Sequence, residues 1–245
     1  EVNLEELKRE IALMKGLHTG QLKIGVGPLP AQTWLPMVIS ELLATHPQLK
    51  LQIIMEDMWN IVPDLIEKRI DIGIGEIDPN EMNETIELEP LPHRPMRFYC
   101  RTGHPLTEYK HLTLEKIGEY PLVSYKLPKR AEEFFSGTRL LGELSENGKY
   151  FVPQIECQSF EASLQIVSGC DAIGIGPLSK LQSLKKEEGV AILKFEPQWM
   201  RTNYAILTIK DRSMPPVGMA FLDKVREIEN RFYSSPDKTR HKKDI

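Results

Sequence analysis

Cysteine is scarce in this sequence: only Cys100, Cys157 and Cys170 are present, widely spaced and without a CxxC pair. Three isolated thiols exclude a disulfide framework and a zinc ligand set, and they fit a reducing compartment, the cytoplasm. A redox role for Cys100 beside Arg101, whose cation would lower the thiol pKa, competes with the blander reading of a buried, inert strand cysteine. The six histidines show no metal-ligand spacing, there is no GxSxG elbow, and no carboxylate pair sits where a strand end and a loop would hold it. The chain is therefore expected not to be an enzyme and to carry no metal. Three loose GxG stretches, IGVG at 24–27, IGIG at 72–75 and IGIG at 173–176, lack the third glycine, since Pro30, Asp78 and Ser179 stand in its place. No dinucleotide cofactor is expected. Positive charge is not in excess either, the net charge being -4, so this chain is not itself expected to grip phosphate backbones. A basic leader and a long apolar run are also lacking, so neither a signal peptide nor a membrane span can be read.

What is present is a soluble globular composition, 41% hydrophobic and 27% charged over 245 residues, enough for one large or two ordinary α/β domains. LKIGVG is a short strand. A helix is predicted from about Thr33 with the stripe Leu35, Val38, Ile39, Leu42 and Leu43, and Pro47 closes it. LKLQIIM, WNIVPDLIEKR and IDIGIG follow as strand, helix and strand, so residues 20–75 read as βαβαβ with a parallel sheet. The middle of the chain repeats the theme: strands MRFYCR and PLVSY, a helix over RAEEFFSGTRLLGEL, strand PQIEC, helix FEASLQIVSG, strand AIGIG, helix LSKLQSLKK and strand AILKF. NYAILTIK and the helix GMAFLDKVREIENRFY close the ordered part, and SSPDKTRHKKDI is a polar, solvated tail. In front of everything, Leu4, Leu7, Ile11 and Met14 alternate spacings of three and four on a charged segment, a coiled-coil seam that should dimerise or else dock on its own domain.

Taken together, GQLKIG with Pro36 eleven residues after Gly25, THPQLKLQI, EKRIDIGIG, RTGHPL at 101–106 and SFEASLQIVSGCDAIGIGPLS resemble the effector-binding domain of LysR-type transcriptional regulators. The similarity runs in order from about residue 20 to residue 233. It implies a type II periplasmic-binding-protein-like α/β fold, with two α/β subdomains around an interdomain ligand cleft, preceded by a linker helix. Residues 1–18 would be the end of that linker, 20–94 with 201–233 the first subdomain, 95–200 the second, and 234–245 a disordered tail. It further implies a small-molecule effector, self-association as a homodimer or tetramer, and DNA contact only through an N-terminal winged helix-turn-helix that is expected to precede Glu1. An extracytoplasmic solute-binding protein of a transport system would share this fold; the heptad-like leader and the unpaired cysteines favour the regulator.

The resemblance also points to effector contacts. The turn between the first strand and first helix, Gly27, Leu29, Pro30, Ala31 and Gln32, is expected to meet the ligand with backbone N–H groups, as helix starts attract anions. Leu29 and the prolines replace the hydroxyls that many relatives carry there, which favours a ligand with an apolar part. Across from it, Gln158, Ser159 and Phe160 lie at a strand-to-helix junction, where Ser159 is also a plausible N-cap. Ser124 and Tyr125 end a strand, and Glu76 follows IGIG, where an exposed carboxylate would select a positive or donor-rich ligand. The first helix and KLQIIM are candidates for the surface between domains.

Overall fold

The computed structural model of the protein describes residues 21–76, 84–138, 140–184 and 189–234, with 232–234 as backbone. The expectations for residues 1–18 and 235–245 lie outside the described residues. Those described fall into two compact units, one drawn from Glu1–Gly75, Glu81–Pro92 and Tyr204–Ile245, the other from Glu76–Asn80 and His93–Asn203.

The first unit opens with β1 (Gln21–Val26), whose Leu22, Ile24 and Val26 are fully buried. A short helix, α1 (Pro28–Gln32), follows at once, where the sequence reading began the helix only at about Thr33. Proline looks like a breaker in sequence, yet in a first turn its fixed φ is already helical and its missing N–H costs nothing. α2 (Leu35–Thr45) buries Leu35, Val38 and Leu42, the face that the stripe predicts, and His46 ends it. β2 (Lys50–Met55), α3 (Met58–Ile66) and β3 (Ile72–Glu76) complete the βαβαβ run, with β1 parallel to both β2 and β3. A further strand, β4 (Ile86–Pro90), was missed although IELEP alternates apolar and acidic residues, because two glutamates and a proline in five positions disfavour a strand.

The second unit contains β5 (Met96–Arg101), a 3₁₀ turn at Pro105–Glu108, α4 (Leu114–Ile117), β6 (Leu122–Ser124), β7 (Leu127–Pro128) and α5 (Ala131–Phe135). β8 (Gly142–Leu144), β9 (Tyr150–Pro153), β10 (Ile155–Glu156), α6 (Phe160–Gly169), β11 (Ile173–Pro177), α7 (Leu178–Ser183) and β12 (Val190–Ile192) follow. One long helix predicted over residues 130–144 is corrected here. It stops at Phe135, and GEL is strand β8, antiparallel to β9. The two glycines decide this: Gly137 has φ +84° and Gly142 φ +137°, and a Cβ on Gly142 would lie 2.1 Å from the Val152 carbonyl oxygen. The main sheet runs β10-β6-β11-β5-β12 and a small one β7-β9-β8. It is mixed rather than all parallel, since β5 runs antiparallel to β11 and β12. The chain ends in the first unit with β13 (Tyr204–Ile209) and α8 (Pro216–Ser234), giving that unit a sheet of order β2-β1-β3-β13-β4.

The IGIG glycines serve packing. A Cβ on Gly174 would sit 2.1 Å from Cζ of Tyr99, and one on Gly73 would sit 2.4 Å from Ile61. Side chains of the unit's own core occupy the space that the sequence reading left to a ligand.

Candidate functional site

The second unit contains a pocket that opens to solvent and is lined entirely by that unit's residues. β3 delivers Glu76 at its last position, the residue after β6 delivers Tyr125, and β7 contributes Leu127. Arg130, the N-cap residue of α5, and the last two residues of that helix, Phe134 and Phe135, face the pocket, and the stretch before β13 supplies Trp199, Met200 and Thr202. Phe134 and Trp199 lie flat on one another, with centroids 4.1 Å apart and planes 5° from parallel, and Phe135 meets Trp199 edge-on at 5.9 Å. Stacked rings of this kind are a rigid, flat apolar wall, suited to a planar or aliphatic partner.

The polar end of the pocket is an ion pair between Arg130 and Glu76. Arg130 also donates to the Arg201 carbonyl oxygen at 3.0 Å. Burial pushes the Glu76 carboxyl up, against the opposing pull of the Arg130 guanidinium, the backbone N–H of Asn203 and His93. Glu76 is thus not the exposed carboxylate expected from the sequence, because a cation of its own unit already faces it. Its charge is spoken for, which removes the argument for a positively charged ligand.

Among the residues named from sequence, Glu76 and Tyr125 are brought together in this pocket. Ser124 precedes Tyr125, is 3% exposed, and has a side-chain oxygen with no hydrogen-bond partner. Its carbonyl oxygen accepts from the Cys157 N–H at 2.8 Å, which ties it to the chain entering α6. There Ser159 caps α6, its Oγ accepting from the Ala162 N–H at 3.2 Å, while Gln158 is exposed. Phe160 turns inward, 6.1 Å from Tyr99 in the core that α6 shares with β5 and β6. In the first unit, the Gly27 N–H donates to the Ile74 carbonyl oxygen at 2.8 Å and the Ala31 N–H to Gly27 at 3.2 Å. Leu29 and Pro30 are buried, and Gln32 donates to the Pro28 carbonyl oxygen at 2.9 Å. The donors of Gly27 and Ala31 expected to face a ligand are therefore spent inside the fold.

Sequence reasoning missed Arg130, Phe134, Trp199 and Thr202. The signal available was the scarcity of tryptophan, three in the whole chain, beside Arg201 in QWMRT. Cys100 is buried and its thiol is pushed up to about 12, chiefly by desolvation, so the inert reading stands and a thiolate is disfavoured. Among the described residues no group of three His, Cys, Asp or Glu side chains could hold a metal, and no helix is long and apolar enough to cross a membrane.

Comparison with known proteins decides the family, because the LysR substrate binding domain family matches residues 15–229. The chain belongs to that LysR family. Its curated relatives include the SDS degradation transcriptional activation protein of a Pseudomonas species, 23% identical over 92% of this chain and 72% of that protein. The HTH-type transcriptional activator CmpR of a Synechocystis species is 26% identical over 90% and 70%. Solved structures share the fold: the BenM effector binding domain with its effector benzoate has a TM-score of 0.64 at 17% identity, covering 87% of this chain and 93% of that one. A reduced form of OxyR from N. meningitidis has a TM-score of 0.66 at 17% identity, covering 86% and 96%. The fold is type II periplasmic-binding-protein-like, and the LysR domain is an effector-sensing regulatory domain rather than the solute-binding component of a transporter.

Proposed function

We propose that this LysR domain senses a small organic acid with a flat or aliphatic apolar body, received by the pocket of the second unit. The observation that carries this reading is the juxtaposition of the stacked Phe134–Trp199 wall with the guanidinium of Arg130 in one pocket. The rings exclude water from one side of a ligand, and a planar guanidinium matches a carboxylate through charge-assisted hydrogen bonds. BenM, which shares the fold, holds benzoate, and this supports the same chemical class. Tyr125 would lie along the ligand body and Ser124 would supply a further hydroxyl. Ser159 and Phe160 are chiefly structural in this reading, Gln158 is an exposed residue of the same unit, and the turn Gly27–Gln32, whose donors are spent within the first unit, takes no part in it.

In this reading the domain is part of a cytoplasmic regulator without catalytic activity that binds DNA through an N-terminal domain and works as a homodimer or tetramer. The effector acts by binding one arrangement of the assembly more tightly than another, since equal affinity for both would shift nothing. A thermal-shift series with benzoate, phenylacetate, octanoate and the matching amines tests the ligand class. At least one acid is expected to raise the melting temperature, and Phe134→Ala to weaken it about tenfold, the loss of roughly 1.4 kcal/mol expected for one stacked aromatic. Amines that stabilise where acids do not would overturn the reading.

A further inference from the structure

Arg130 meets a carboxylate before any effector arrives, and that carboxylate is Glu76. Both side chains line the pocket, and Nη2 of the guanidinium, which meets Glu76, also donates to the Arg201 carbonyl oxygen, so the Arg130 nitrogen on the Glu76 side is fully engaged before an acid arrives. Two carboxylates cannot share this corner while both are ionised, because like charges at contact in a partly desolvated site repel strongly.

We propose that Glu76 is a built-in counter-ion occupying the effector's carboxylate position on Arg130, and that an anionic ligand displaces it while Glu76 takes up one proton from solvent. This rests on reading the pocket as an acid site. The proton balance is simple: the ligand stays ionised, Arg130 exchanges one carboxylate for another, and the freed Glu76 carboxyl becomes neutral. Burial already favours the neutral form of Glu76, and what holds it ionised is Arg130 first, then the Asn203 backbone N–H, then His93. The remaining pocket neighbours, the Tyr125 hydroxyl and Thr202, bring no charge at neutral pH, and the Arg201 guanidinium donates to the Gln198 carbonyl oxygen instead. Losing Arg130 to the ligand therefore removes the largest influence keeping the proton off. Acid binding to this domain is coupled to acidity: it strengthens as pH falls, and it selects carboxylates over neutral isosteres.

Formate is the probe that isolates this step, since it has a carboxylate and no apolar body. Melting curves are recorded for the whole 245-residue chain in sodium formate and in sodium chloride of equal ionic strength, at about pH 6 and about pH 8, where formate stays ionised. In the wild type the formate concentration for half-maximal stabilisation is expected to be lower at about pH 6 than at about pH 8, by at most about tenfold per pH unit of acidification, the limit for one linked proton. Glu76→Ala is expected to respond to formate at lower concentration and equally at both pH values, because the competing carboxylate is gone. Glu76→Ala combined with Arg130→Ala is expected to respond no more to formate than to chloride. A wild-type response independent of pH, or a Glu76→Ala protein indifferent to formate, overturns the proposal. Failure of the acid-effector reading looks different: benzoate and its analogues would then leave the melting temperature unmoved while the formate response persisted.

Discussion

Ser159 and Gly174 show what a single position can carry. Ser159 was readable as a helix cap because a serine followed by Glu161 and an apolar run is a start signal, and its Oγ does accept from the Ala162 N–H. Ser159→Ala is expected to lower stability by about 1 kcal/mol in chemical denaturation. Phe160, the next residue, was offered as a ligand contact, yet it faces Tyr99 and β11, since the first helical residue points wherever the helix lies on its sheet. Gly174 was visible only as part of a repeated IGIG, and the reason for the glycine is the Tyr99 ring that crosses it. A methyl group there would have to displace a buried aromatic, so Gly174→Ala is expected to cost about 1–3 kcal/mol, and combining it with Tyr99→Leu should recover part of the loss.

At the level of elements, periodicity carried far where a helix or strand packs on one face. α2 and α6 fall where their stripes predict them, and β1 and β3 where short apolar runs do. The failure came at residues 130–144, where Phe134, Phe135, Leu140 and Leu141 imitate a helical stripe while Gly137 and Gly142 demand positive φ. α8 is held to β4 by Arg226, which donates to both carboxylate oxygens of Glu89, at 2.8 and 2.6 Å. That hydrogen bonding holds the Glu89 carboxyl below its ordinary range, ahead of the raising effect of partial burial. A depressed folded-state pKa means the pair stabilises above the unfolded carboxylate value and is lost as pH falls through the folded one. Stability of the wild type should therefore drop more steeply than that of Glu89→Gln between about pH 5 and about pH 3, in urea titrations at stepped pH. The difference is expected to be small, since both side chains are about half exposed.

For the whole molecule, the resemblance read from motif order placed the chain in its family and gave the fold type, and the family match and shared folds agree. Self-association is a matter of surfaces: β2 is an edge strand that leaves Ile53 and Met55 close to half exposed. Leu7→Asp, in the stripe that the sequence reads as a coiled-coil seam and that lies outside the described residues, and Ile53→Lys on β2 are each expected to weaken self-association in sedimentation, and the double variant to be the most monomeric. The sequence alone determined the family, the order of most elements and which face of each is apolar, because those depend on spacings within ten or twenty residues. Only the tertiary structure decided that Glu76 meets an arginine 54 positions later, that Phe134 stacks on Trp199, and that the IGIG glycines yield to side chains rather than to a ligand. Periodicity states that a face is buried, while the crossover connections and antiparallel pairings of β5 with β11 and β12 select what it is buried against.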